Sequence, residues 1–312
     1  MSITISIKSQ NVERDVVIPV EWKDITVKYW GELSTIIKKH YSSANEQVEN
    51  NEKDTHELLK NPLMEDLIKD NPLNDSQVLK MNADIFSYIT GLTKEETSLV
   101  DVSQITQVIS LINKLTEEYK PKGLSSFEFE GQTYYFPSEF FRKSTYGDFI
   151  ESTQLDMYIK DMENGRFDVL PEQMAILCRR LDEEYDEEAI PDKAEKFRGL
   201  TMDVIWEFSF FFDSANRKIS ETYPYIFGET TTSTGGVNTK GLYRTYIKPF
   251  GWLNSLYMLA EKQVFNVAGK NAIDSVRDTN LYNVLTYLSW ITAKNTYENK
   301  VQEKIHNPNK IM

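Results

Sequence analysis

The sequence predicts a predominantly α-helical α+β protein made of two helical lobes, each preceded by a short β-hairpin. Three observations predict it. Apolar residues recur at three-to-four spacing over residues 76–89, 101–115 and 278–305. Two stretches alternate with period two around polar turns, residues 3–20 and 127–136. The chain of 312 residues, 40% of them hydrophobic, is long enough for about two cores.

Taken in order, residues 3–7 and 16–20 read as a first hairpin, with Pro19 at its edge or end. WKDITVKYWGEL, residues 22–33, leads through a threonine into a short helix ending near His40. Residues 42–72 open on the polar run SSANEQVENNEKDTHE, which has almost nothing to bury and reads as an acidic insertion. In residues 76–89, Val78, Met81, Ile85, Tyr88 and Ile89 share a face, Asp75 or Ser76 caps the start, and Gly91 ends the helix. In residues 101–115 the apolar face is Val102, Ile105, Val108, Ile109 and Ile112. These elements form an N-terminal lobe, residues 1–120.

The C-terminal lobe, residues 121–312, opens on the hairpin FEFEGQTYYF with Glu130 and Gly131 at the turn. STYGDFIESTQLDMYI starts a helix with an acidic first turn. A helix over residues 170–181 has Pro171 at its first positions and Met174, Leu177, Cys178 and Leu181 facing inward. Residues 192–214 make one or two further helices, and aromatic residues surround Pro224. Residues 228–241, GETTTSTGGVNTKG, form a loop expected to be flexible in the isolated chain. Helices over residues 250–260 and 278–305 follow; the last, long one turns polar towards its end.

Composition limits the partners. A formal net charge of -13 argues against a nucleic-acid backbone or an anionic membrane as direct partner, because both recruit lysine and arginine surfaces. The single cysteine, Cys178, cannot form an internal disulfide, which fits a reducing cytoplasm. MSITISIKSQ alternates as a strand does and does not read as a signal peptide. No run reaches the roughly 18 uninterrupted apolar residues of a membrane-crossing helix.

Catalytic and cofactor signatures are missing. His40, His56 and His306 fall in a helix end, an acidic linker and a tail, and each reads as a surface histidine; no metal-ligand spacing occurs. Gly235, Gly236 and Lys240 lack the Gly-Lys-Ser/Thr ending and the preceding strand of a phosphate loop. Cys178 has no histidine partner and reads as a buried structural thiol. No enzyme activity, cofactor or metal is therefore expected.

Two stretches are candidate interfaces. DEEYDEEAIPD, with Asp182, Glu183, Asp186 and Glu187, admits acid-base or cation chemistry, a solvated loop, or docking to a basic neighbour; the fixed oxygen spacing and turn glycine of a cation loop are missing. MDVIWEFSFFF, with Trp206, Phe208, Phe211 and Phe212, is apolar around most of a helix and must be covered either by its own chain or by another subunit. The loop glycines Gly235 and Gly236 join this set as a segment expected to order at a contact. A short internal likeness also stands out: ITVKYWGEL after Pro19 and STYGDFI after Pro137 place a serine or threonine, an aromatic and a glycine at the entrance to a helix. A duplication and a chance likeness both account for it.

Pro19-Val20-Glu21-Trp22 before ITVKYWGEL, IFSYITGLTKEE, FEFEGQTYYF, STYGDFIESTQLDMYI, MAILCRRLDEEYDEE, FGWLNSLYMLAEKQ and NVLTYLSWITAK together resemble structural proteins of tailed bacteriophages. The chain is similar to the baseplate and tail-assembly family of contractile coliphages. It is closer to virion or tail-assembly proteins of phages infecting gut Bacteroides, including crAss-like phages. The resemblance spans about residues 19–305, with residues 42–72 and 228–241 as insertions. It implies a non-enzymatic virion protein, assembled in the host cytoplasm into a homo-oligomeric ring beside portal, neck, tail or baseplate subunits. The alternatives are a tail-assembly chaperone absent from the finished virion and, from another class, a host-directed enzyme or regulator.

Overall fold

The computed structural model describes residues 2–8, 13–45, 75–112, 119–156, 166–227 and 250–306. Among these the chain is α+β and predominantly helical, with two antiparallel sheets of two strands each. It divides into two compact units. The first comprises Met1–Lys122, Lys160–Pro171 and Pro191–Glu207; the second comprises Gly123–Ile159, Glu172–Ile190 and Phe208–Met312. Each unit therefore draws on more than one stretch of chain, where the sequence reading drew a single boundary at residue 120.

In the first unit, strands β1 (Ile3–Lys8) and β2 (Glu13–Ile18) pair with Ile3 opposite Ile18 and Lys8 opposite Glu13. The alternation buries Ile7, Val16 and Ile18 on one face. A single 3-10 turn, Trp22–Asp24, leads into helix α1 (Val27–Asn45), which runs past His40 into the predicted polar insertion. Residues 46–74 lie outside the described residues. Helix α2 (Asp75–Thr90) packs on α1 and buries Met81, Ile85, Phe86 and Thr90; Val78, Tyr88 and Ile89 are only half-buried. Gly91 ends it at φ +66, the left-handed backbone that a glycine adopts without steric cost. Thr93 and Glu96 close a reciprocal capping box on α3 (Lys94–Ser98). In α4 (Val102–Ile112) the buried face is Val108, Ile109 and Ile112, whereas Val102, expected inside, is 62% exposed because it sits in the open first turn.

In the second unit, β3 (Ser126–Phe129) and β4 (Gln132–Tyr135) pair with Phe129 opposite Gln132. Glu130 and Gly131 both take positive φ, 49 and 75, the conformation a two-residue hairpin requires to match strand twist. Helix α5 (Tyr146–Gln154) follows. Helix α6 (Arg166–Leu177), whose residues up to Pro171 belong to the first unit, begins before the expected position, so Pro171 lies inside it. It also stops early, because Arg179 leaves the helix to bridge with Tyr135 of β4. Leu181, expected to face inward, is consequently 86% exposed. Helices α7 (Ile190–Phe197), α8 (Met202–Thr222), α9 (Pro224–Phe227), α10 (Leu253–Glu261), α11 (Ala272–Arg277) and α12 (Leu281–His306) complete the described chain. Helices α7 and α8 are the two helices found where one or two were expected over residues 192–214, and the second runs on to Thr222. No described helix is long and apolar enough to cross a membrane.

Candidate functional site

Each unit is organised by a junction where two helices begin side by side. In the first, Thr26 and Thr201 form an antiparallel bridge, Val27 N–H donates to Leu200 O at 2.9 Å, and Met202 N–H donates to Ile25 O at 2.7 Å. In the second, Thr145 bridges Asn280, Tyr146 N–H donates to Thr279 O at 2.8 Å, and Leu281 N–H donates to Ser144 O at 3.0 Å. Both junctions obey one rule: the residue after each bridging position donates to the carbonyl before its partner. Those four donors open α1, α8, α5 and α12, and helix-opening N–H groups have no partner within their own helix. Their side chains, Val27, Met202, Tyr146 and Leu281, are at most 2% exposed. A short helix ends shortly before the bridge in both units, at Phe197 four residues before Thr201 and at Arg277 three residues before Asn280, with Leu200 N–H bonding to Phe197 O and Thr279 N–H to Val276 O. The likeness between ITVKYW and STYGDF thus corresponds to one repeated backbone construction, with Thr26 and Thr145 in equivalent places.

The buried polar groups support these junctions. Thr145 caps α5 through its hydroxyl, which accepts from Asp148 N–H at 3.1 Å, while the Asp148 carboxylate accepts from Thr145 N–H at 3.0 Å. The other Asp148 oxygen accepts from Arg179 at 2.5 Å, and the Asp148 side chain is 5% exposed. In the first unit Glu207, 2% exposed, accepts from the Tyr119 hydroxyl at 2.7 Å and from Lys122 N–H. Burial and then the Glu207 hydrogen bond push the Tyr119 phenol above its ordinary range. His40, expected at the surface, is instead 11% exposed and meets Asp84 of α2 at 3.0 Å. Its partner came from another helix, so its own sequence neighbours did not reveal it. Burial alone would raise the Asp84 carboxyl, but hydrogen bonds from His40 and Lys94 more than offset this and lower it.

The acidic segment is partly held down. Glu183 pairs with Arg180 at 3.3 Å, Glu187 with Arg277 at 3.2 Å, and Asp186 caps the 3-10 turn Glu187–Ala189. Tyr185 and Arg277 both donate to Glu151 of α5. Asp182, Glu184 and Glu188 are exposed, and no ion pair joins them to another described residue. Burial is the leading influence on Glu151 and raises its pKa despite the Tyr185 and Arg277 contacts that favour its charge. A raised carboxyl makes the folded state hold the proton more tightly than the unfolded chain, so this group's contribution declines as pH rises through the window above its ordinary value. Glu151→Gln is therefore expected to improve relative to the parent protein as pH rises from about 4 to about 7, read as the difference in thermal midpoints. A difference that moves the other way would reverse the assignment.

The aromatic helix is covered by its own chain. Trp206 is 3% exposed, and Phe208 and Phe212 are 0% exposed, so these three candidate interface residues are core; Phe211 is half-buried. Trp206 packs edge-on against Trp22 and stacks on Tyr119. Phe208 and Phe211 meet Phe136, while Phe211 and Phe212 meet Phe141. Phe141 ends a run, Glu139, Phe140 and Phe141, with φ of 50, 54 and 68; three consecutive left-handed non-glycine residues carry strain. Burial of Phe141, with hydrogen bonds from Tyr282 to Phe140 O and from Asn280 to Arg142 O, holds it in place. Gly235 and Gly236 lie outside the described residues.

Cys178 is fully buried just past the end of α6, its N–H on Met174 O at 2.7 Å. Among the described residues no group of three or more His, Cys, Asp or Glu is placed to hold a metal ion. Comparison with protein-family models, curated proteins and solved structures finds no match. Several large apolar side chains are exposed on the described surface. Trp290, Tyr297 and Ile305 of α12 are 55%, 69% and 64% exposed, and beyond Leu288 no residue of that helix is buried. The C-terminal turns of this helix were expected to be polar, yet they carry the exposed Tyr297 and Ile305. The signal was present as a second three-to-four series, offset from the face of Leu281, Val284, Leu285 and Leu288.

Proposed function

We propose that this chain is a non-enzymatic structural subunit of a tailed-phage particle, one copy in a ring at the portal, neck, tail or baseplate. The observation that carries the reading is the unburied aromatic and aliphatic surface of α12, because a folded chain that leaves such a face open is suited to cover by a neighbouring subunit. The sequence resemblance supports the phage context. The buried carboxylates Asp148 and Glu207 are engaged in holding helix entrances and backbone. Peptide mass spectrometry across the particle gradient tests the reading. The expected result is co-sedimentation with the particles at a constant ratio to the other virion proteins. Abundance in the lysate with absence from particles would replace it with the assembly-chaperone reading.

A further inference from the structure

The exposed half of α12 differs in charge from the rest of the molecule. Acidic residues outnumber basic ones 48 to 35 over the chain, yet residues 289–306 carry three lysines against two glutamates. At about 100° per residue, Trp290, Lys294, Tyr297, Val301 and Lys304 fall within about 40° of one line along the helix. Ile305 lies beside that line; Glu298 is at its edge and Glu303 on the far side. Lys294 sits over the Trp290 ring at 5.5 Å and reaches Glu298 at 3.7 Å. The result is an exposed aromatic stripe whose charged members are cationic.

A surface of the matching kind is present on the same chain. Leu181 is 86% exposed, and it is followed by the exposed carboxylates Asp182, Glu184 and Glu188, which no described residue pairs. The segment is anchored from below by the Tyr185 and Arg277 contacts to Glu151, so the acidic groups are displayed from a fixed base. An exposed apolar side chain with carboxylates next to it in the chain is complementary in charge and character to an aromatic stripe that carries lysines.

We infer that the stripe of α12 docks on the acidic segment 181–188 of a second copy of this chain. The contact joins unlike surfaces, so it propagates head to tail and closes into a ring when its rotation allows. The inference deepens the ring reading above and rests on it only in requiring that copies meet. Ion pairing makes the contact weaken with salt.

Sedimentation of the full-length protein over a concentration series, at low and high salt, tests it. The parent protein is expected to self-associate, more weakly at high salt. Trp290→Ala with Tyr297→Ala is expected to weaken association about thirtyfold or more, as loss of interface anchors does. Lys294→Glu with Lys304→Glu, and separately Asp182→Lys, Glu184→Lys and Glu188→Lys, are each expected to weaken it about tenfold or more. In a head-to-tail contact, mixing those two charge-reversed proteins lets α12 of each meet a complementary segment on the other, so the mixture is expected to recover association, as is one chain that combines both sets. All substituted positions are exposed, and circular-dichroism melts near the parent's confirm that the variants fold. A parent protein that stays monomeric, reversals without effect, or a combined variant that stays dissociated would each overturn the contact. So would capture of duplex DNA or anionic vesicles through Lys294 and Lys304 with self-association unchanged. The ring reading is checked separately by the chain's presence in particles, so the two can fail independently.

Discussion

Asp148→Ala is expected to lower the folding free energy by about 3–5 kcal/mol, the range for removing one partner of a buried ion pair. Asp148 has three tasks: its own N–H is capped by Thr145, one carboxylate oxygen accepts from Thr145 N–H, and the other accepts from Arg179. Alanine retains the first and loses the other two. The loss leaves Arg179 without its carboxylate beside the Tyr135 bridge and frees an N–H at the helix entrance. Asp148→Asn keeps a carbonyl oxygen for one donor and is expected to cost less than alanine. Urea unfolding followed by far-ultraviolet circular dichroism reads both. A loss under about 1 kcal/mol for the alanine variant, the level of an exposed pair, would contradict the role given to Asp148.

Phe212→Ala is expected to cost a similar amount, about 3–5 kcal/mol, as for large-to-small changes at fully buried aromatics. Phe212 is 0% exposed, stacks on Phe208 at 5.8 Å and meets Phe141 edge-on at 6.0 Å. Its removal opens a cavity between rings and also loosens Phe141, whose burial holds the left-handed run Glu139, Phe140 and Phe141. Phe212→Leu fills most of the volume and is expected to lose less. If Phe212 instead served only as cover for a neighbouring subunit, alanine would leave the isolated chain's unfolding midpoint unchanged and weaken assembly alone.

The elements that the sequence displayed clearly are those with strong local signals. The 127–136 hairpin was legible from its alternation and Glu130-Gly131 turn, and α12 from its apolar face. Pro171 and Leu181 misled because a proline commonly marks a first turn and a leucine in register commonly faces inward. Pro171 lies inside because the helix begins at Arg166, and Leu181 is turned outward by the bridge between Arg179 and Tyr135, a pairing across 44 residues that no local pattern encodes. The junctions at Thr26–Thr201 and Thr145–Asn280 were half legible. STYGDF and ITVKYW showed one strand of each, but their partners carry no matching motif, since the bonds run through backbone. The left-handed run at residues 139–141 has no glycine to announce it.

The candidate interface divides by burial. Trp206 is core because Trp22 and Tyr119 pack on it, and Phe208 and Phe212 are core because the rings of Phe136 and Phe141 do, which is the cover that the amino-acid pattern alone left open between self and neighbour. Apolar side chains are exposed instead at Trp290 and, in the C-terminal turns expected to be polar, at Tyr297 and Ile305.

Electron cryomicroscopy of purified particles tests the central claim most directly. The account predicts density for this chain in a ring of copies on the head-to-tail axis, with α12 of each copy covered by the next subunit. Complete particles whose axial density holds no copy of this chain would contradict it.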